Sequence, residues 1–164
     1  MNVNKFEALS RALDEFGEEI ESTKQRIQVI APDCLDNVPT GQGVYWIETT
    51  MPIIELQRAI SALHNKQKKL RVNPPVGATL IVQDEKNPVI IYSGTEGNIQ
   101  NRLKQHLFCH GSKKTVKLGC IINQSPFCNY DWFVSFAEVD SYELRYAVES
   151  WWRLNKGWPQ FCLR

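Results

Sequence analysis

Two short β-branched runs, Val44-Tyr45-Trp46-Ile47 and Val89-Ile90-Ile91-Tyr92, are separated by a segment whose apolar residues recur at helical spacing. Each run follows a cluster of turn formers, Val38-Pro39-Thr40-Gly41-Gln42-Gly43 and Asp84-Glu85-Lys86-Asn87-Pro88, so both read as strands. Between them Pro52 opens a helix. Ile53, Ile54, Leu56, Ile60 and Leu63 form its apolar face, and Lys66, Lys68, Lys69 and Arg71 sit at its end, where cations suit the terminal dipole. Asn73-Pro74-Pro75-Val76-Gly77 stops it. The run Ala78-Thr79-Leu80-Ile81-Val82 predicts a further strand, in a hairpin with Val89–Tyr92, and Trp132-Phe133-Val134-Ser135-Phe136 predicts another.

Helical periodicity brackets these strands. Phe6, Leu9, Leu13, Phe16 and Ile20 predict an amphipathic helix over about 4–29, ended by Ala31-Pro32. Its heptad-like rhythm is compatible with a homodimer, although packing on its own domain is the simpler use. A third helix over about 97–109 buries Ile99, Leu103 and Leu107. A last helix begins at Ser141 and runs to about Asn155, with Leu144, Val148 and Trp151 as its apolar stripe and Glu149 off it. There is no internal repeat. The expected class is α+β: a small antiparallel sheet flanked by helices, with an amphipathic helix at the N-terminus. Residues 1–37 read as a helical extension and 38–164 as the main domain, with a helical insertion at about 52–72.

At 164 residues the chain suits one domain with a real core, and the 43% hydrophobic content argues against disorder. No run approaches the roughly 18 apolar residues of a membrane span. The charged start MNVNKFEALSRALDEF offers no apolar signal segment, so a soluble, cytoplasmic protein is expected. Five cysteines without a dense framework suggest reduced thiols. Cys109, His110, Cys120 and Cys128 match no common zinc-ligand spacing. The net charge is only +1, but it is unevenly spread. Residues 1–22 are acidic, whereas Gly97 to Tyr130 carries Arg102, Lys104, Lys113, Lys114 and Lys117 with no Asp or Glu. Such asymmetry suits one face for a polyanion.

Arg102 and His106 are four apart and share a helix face, which reads as polar and offset from the Ile99/Leu103/Leu107 stripe. Just before them a strand ends in Tyr92-Ser93-Gly94. An arginine can hold a phosphate in bidentate fashion, a histidine or tyrosinate can take a proton from water, and a single carboxylate such as Glu149 can suffice for Mg²⁺. These elements resemble the GIY-YIG nuclease superfamily. Gly43-Val44-Tyr45 looks like the first motif and Ile91-Tyr92-Ser93-Gly94 like the second. Asn98-Ile99-Gln100-Asn101-Arg102-Leu103-Lys104-Gln105-His106 is similar to the helix that follows, and Glu149-Ser150-Trp151-Trp152-Arg153-Leu154-Asn155 to the late helix with the metal-binding glutamate.

The resemblance implies a three-stranded antiparallel sheet with flanking helices and a DNA endonuclease dependent on Mg²⁺ or Mn²⁺. The added helices would suit a restriction-type, site-specific enzyme; a structure-selective repair nuclease and an inactive nucleic-acid-binding module are the alternatives. Carried over, Glu149 binds the metal, Arg102 holds the scissile phosphate, Tyr45 deprotonates or orients water, Tyr92 assists, and His106 relays the proton. Whether Tyr45 or His106 is the base stays open, and Glu143 is a fallback ligand. Lys104, Lys113, Lys114 and Lys117 become phosphate contacts. Four features depart from the family pattern. A helix is inserted between the motifs, Ser93 replaces the usual isoleucine, Thr95-Glu96 stands where a lysine is frequent, and Cys162 lies near the place of a usual asparagine.

Overall fold

A computed structural model describes residues 3–64, 74–84, 87–108 and 122–162. Lys66, Lys68, Lys69, Arg71, Lys113, Lys114, Lys117, Cys109, His110 and Cys120 lie outside the described residues. The elements are α1 (Val3–Thr23), β1 (Gln25–Gln28), β2 (Gly43–Thr49), α2 (Ile53–His64), β3 (Val89–Glu96), α3 (Ile99–Phe108), β4 (Trp132–Glu138) and α4 (Tyr142–Asn155). Short 3₁₀ turns occupy Pro32–Asn37 and Phe127–Asn129. The strands form one antiparallel sheet in the order β1-β4-β2-β3, flanked by helices. Among the described residues no helix is long and apolar enough to cross a membrane.

Two expectations from local pattern are corrected. The first helix stops at Thr23 rather than 29, where the Ser22 and Thr23 hydroxyls donate back to the Glu19 carbonyl at 2.9 and 2.7 Å. Such back-bonding competes with the helix ladder. Gln25–Gln28 then pairs with the outer edge of β4, so the sheet has four strands and not three. The hairpin of Ala78–Val82 with Val89–Tyr92 does not form. Leu80 instead bridges Trp158 in parallel, with the Ile81 N–H donating to the Trp158 carbonyl and the Trp158 N–H to that of Thr79. A β-branched run reports an extended buried segment without reporting its partner.

All seven residues of β2 are buried, because both faces of the sheet are covered. Tyr45 and Ile47 point into a core with Leu56 and Ile60 of α2 and Ile99, Leu103 and Leu107 of α3. Val44 and Trp46 point the other way, toward Ile20 of α1 and Val148, Trp151 and Trp152 of α4. Glu48, buried on that second face, accepts from Arg26 Nε at 3.0 Å and Ser135 Oγ at 2.6 Å, so β1 is tied to β2 across β4. A buried carboxylate needs such partners.

The pairing of β2 with β3 contains a bulge. Ile47 faces Tyr92, but Glu48 faces Ile90, so Ile91 has no counterpart. A bulge re-aims the side chains beyond it. Without it, strict alternation from Val89 would send Tyr92 to the face opposite Tyr45.

The stripes of α1 and α4 are shorter than predicted. Phe6 and Leu9 are exposed, Leu13 and Phe16 are half-buried, and only Ile20 is buried outright. On α4, Leu144 is exposed, and the buried residues are Arg145, Val148, Trp151 and Trp152. Ser141 caps this helix as expected, accepting the Leu144 N–H at 3.2 Å. The acidic residues of α1 hold α4 in place: the Trp151 indole donates to Asp14 at 2.8 Å, that of Trp152 to Glu21 at 2.6 Å, and Lys156 meets Glu18 at 2.9 Å.

The helices meet at Gly17, where an added Cβ would fall within the Trp151 ring. Alanine is favoured over glycine in a helix by roughly 1 kcal/mol, but overpacking a pinned ring costs about 1–3 kcal/mol. Gly17→Ala is therefore expected to lower the thermal midpoint by roughly 2–8 °C, measured by circular dichroism. A rise would show that Trp151 is free to move.

Candidate active site

Tyr45 leaves the centre of β2 on the α3 side, and its ring passes over Gly94, its cross-strand partner in β3. A Cβ at Gly94 would stand 2.5 Å from the Tyr45 hydroxyl and 2.7 Å from Cζ, so the phenol reaches this place only because Gly94 has no side chain. The hydroxyl lies 3.0 Å from His106 Nε2. Tyr92, turned to the same face by the bulge, has its ring 4.7 Å from that of His106 and 6.2 Å from that of Tyr45. His106 is fully buried, which corrects the polar, solvent-facing surface expected for it. Helical spacing puts it beside Arg102, but the two phenols cover it and one of them satisfies its nitrogen.

Arg102 lies one turn earlier on α3. Its Nη1 donates to Gln105 Oε1 at 3.0 Å, and its Nε stands 3.7 Å from Glu96 Oε2. The guanidinium also acts on both phenols, favouring their ionised forms. Glu149 approaches from α4, close enough for its charge to disfavour ionisation of the same two phenols. Tyr45, Tyr92, His106 and Arg102 therefore cluster, from β2, β3 and α3, and Glu149 of α4 acts on the two phenols through its charge. Glu143 does not join them: it sits exposed in the first turn of α4, accepting the Ser141 hydroxyl at 3.0 Å.

Glu149 is ion-paired with Arg153, one turn further along α4, and each side chain is only 12% exposed. Arg153 is itself anchored. Its Nε donates to Ser93 Oγ and its Nη2 to the Ser93 carbonyl, both at 2.9 Å, while Nη2 lies 3.6 Å from Cys162 Sγ. The guanidinium also stands 4.9 Å from the Trp158 ring centre. Cys162 Sγ accepts the Ser93 N–H at 3.1 Å. The chain's last described turn is thus bound to β3 behind Glu149. The sequence offers little sign of this arrangement beyond the four-residue spacing of Glu149 and Arg153.

Burial sets the proton affinities. It pushes the Tyr45 phenol well above its ordinary range, helped by Tyr92, and the nearby Arg102 charge only partly opposes it. Tyr92 is raised by burial and then by Cys162. Burial also raises Glu149, against the pull of Arg153, and raises Cys162 against the same cation. Burial disfavours the Arg102 charge, but Tyr45, Tyr92 and Glu96 more than offset it, so its guanidinium holds its proton more tightly than usual.

Among the described residues, no group of three or more His, Cys, Asp or Glu side chains is arranged to hold a metal ion. Lys104 is engaged by Asp36 at 2.7 Å. Cys34, Cys128 and Cys162 are free thiols. Comparison with family models, curated proteins and solved structures finds no match for this chain.

The folded chain binds the Tyr45 proton more tightly than the unfolded chain does. Its contribution to stability is therefore complete below about pH 10 and is lost as the pH rises through the folded value. Urea midpoints of the parent are expected to fall on alkaline titration, and those of Tyr45→Phe to fall less steeply. Equal slopes would show that Tyr45 is not held protonated by the fold.

Proposed function

We propose that the chain is a divergent GIY-YIG-type endonuclease that hydrolyses DNA phosphodiester bonds with Mg²⁺ or Mn²⁺. The supporting observation is the hydrogen bond between Tyr45 and His106, in a cluster that also contains Arg102, Tyr92 and Glu149. The donor set fits an ion that keeps most of its waters. Glu149 would be its one carboxylate ligand, with water and substrate oxygens as the rest, and the ion would compete with Arg153 for Oε1. Such an ion, when bound, stabilises charge on the phosphate and the departing oxygen.

Arg102 binds the non-bridging oxygens of the scissile phosphate. Tyr45 is too firmly protonated to serve as a standing phenolate, so it works as a relay. As the attacking water gives a proton to the Tyr45 oxygen, Tyr45 passes its own to His106 Nε2, which requires the Nδ1–H tautomer at the start. The water oxygen bonds to phosphorus, and the bond from phosphorus to the leaving nucleotide oxygen breaks. That oxygen takes its proton from solvent. Tyr92 packs on the imidazole and fixes its orientation.

One observation favours a second reading, a module that binds nucleic acid without cutting it: the carboxylate of Glu149 is ion-paired with Arg153. The two readings separate on plasmid, forked and flapped DNA incubated with Mg²⁺ or Mn²⁺. Discrete plasmid fragments are expected from a restriction-type enzyme, and cleavage confined to forks or flaps from a structure-selective one. His106→Ala is expected to slow cleavage about 10²–10⁴-fold and Glu149→Ala by at least about 10²-fold. A Glu149→Ala protein that cuts at the parent rate would remove the metal assignment, and salt-sensitive binding with no cleavage of any substrate would leave the second reading.

A further inference from the structure

Arg145 lies one helical turn before Glu149, on the same face of α4, yet Glu149 pairs with Arg153 on its other side. Arg145 is 7% exposed, and its Nε and Nη1 are buried with no hydrogen-bond partner. No ion pair joins it to a described residue. Its guanidinium stands 4.9 Å from the Tyr142 ring centre and 5.7 Å from that of Tyr146, two tyrosines that are themselves largely exposed. Nη1 comes within 3.9 Å of where a Cβ would stand on Gly97. The charge is therefore held at the turn that leads into α3, beside the positive end of that helix.

This arrangement is unfavourable as it stands. An arginine cannot shed its proton in a protein, and a desolvated cation without a carboxylate carries a large penalty. The two rings offset only a part of it, and the helix terminus adds repulsion. Glu96, the acid of this turn, is engaged elsewhere: it accepts the Gly97 N–H at 2.9 Å, faces Arg102 at 3.7 Å, and makes no ion pair with Arg145. The amides of Gly97, Ile99, Gln100 and Asn101 are already taken by Glu96, Gly41, Pro39 and Asn98, so an incoming anion with several acceptor oxygens would be held by the guanidinium.

We infer that Arg145, beside Gly97 at the turn into α3, seats a backbone phosphate of DNA next to the one held by Arg102, with Tyr142 and Tyr146 lining the approach. The inference rests on the DNA-cleaving reading for its ligand, but binding at this site needs neither metal nor cleavage. A short fluorescein-labelled duplex, titrated in EDTA and followed by anisotropy at several KCl concentrations, tests it. Arg145→Gln is expected to weaken binding about ten-fold and to lower the slope of log K against log salt by about one, as loss of one phosphate contact should. Lys5→Gln, on the exposed start of α1, serves as the control and is expected to leave the slope unchanged. Equal affinity and slope in Arg145→Gln and the parent overturn the site.

If Arg145→Gln does not fold, the parent alone decides. The Arg145 Nε–H and Gly97 amide resonances must shift on saturation with the duplex, and their constancy overturns the site. Absence of cleavage together with these shifts would remove the nuclease reading and support the phosphate site. Full cleavage together with unchanged binding by Arg145→Gln would do the reverse.

Discussion

Strand β2 runs through the middle of the molecule with both faces covered, so its pleat must deliver alternate side chains to two separate cores. Tyr45 goes to the side of α3, and Trp46 goes to the side of α1 and α4. The site follows from this division. Tyr45 can lie flat across the edge strand only because Gly94 stands opposite it, and Tyr92 shares its face only because Ile91 is an extra residue in the ladder. A one-residue change in that register would separate the two phenols by the thickness of the sheet.

Burial then decides the charges. The phenols are held neutral, Arg102 acts on both and Arg153 on Tyr92 through their charges, and Arg145 stands further along α4, each cation stabilised differently. Arg102 interacts with phenols and Glu96, Arg153 with Glu149 and the backbone of Ser93, and Arg145 with two aromatic rings. Guanidinium groups beside neutral, buried phenols are consistent with the anionic substrate proposed above, since a partly desolvated positive charge attracts anions more strongly than it would in water. The same burial makes a directly ionised Tyr45 costly, which is why the proposed chemistry routes the proton onward to His106.

The acidic N-terminal helix contributes to this site indirectly. Asp14, Glu18 and Glu21 receive the Trp151 indole, the Lys156 ammonium and the Trp152 indole, and so determine how α4 lies on the sheet. Glu149, Arg145 and Arg153 all project from that helix. The uneven charge of the chain is thus partly a packing device: negative residues on α1 hold the helix that presents arginines near the phenols.

Much of this was legible in the linear chain. The turn clusters before Val44 and Val89, the Ser141 cap and the period of Ile99, Leu103 and Leu107 are local features, and local physics suffices to read them. The positions of Tyr45, Tyr92, Arg102, His106 and Glu149 on their strands and helices could be read in the same way. Partners at long range could not. The pairing of Gln25–Gln28 with β4, of Leu80 with Trp158, and of Arg153 with Ser93 joins residues far apart in sequence. By itself the sequence determined the four helices, the strands β2, β3 and β4 and the chemical groups they carry, though not β1, because periodicity and turn chemistry act over a few residues. Only the tertiary structure decided that His106 is buried, that Glu149 has a cationic partner and that Arg145 has no carboxylate partner among the described residues, because burial and charge pairing depend on what folds against each side chain.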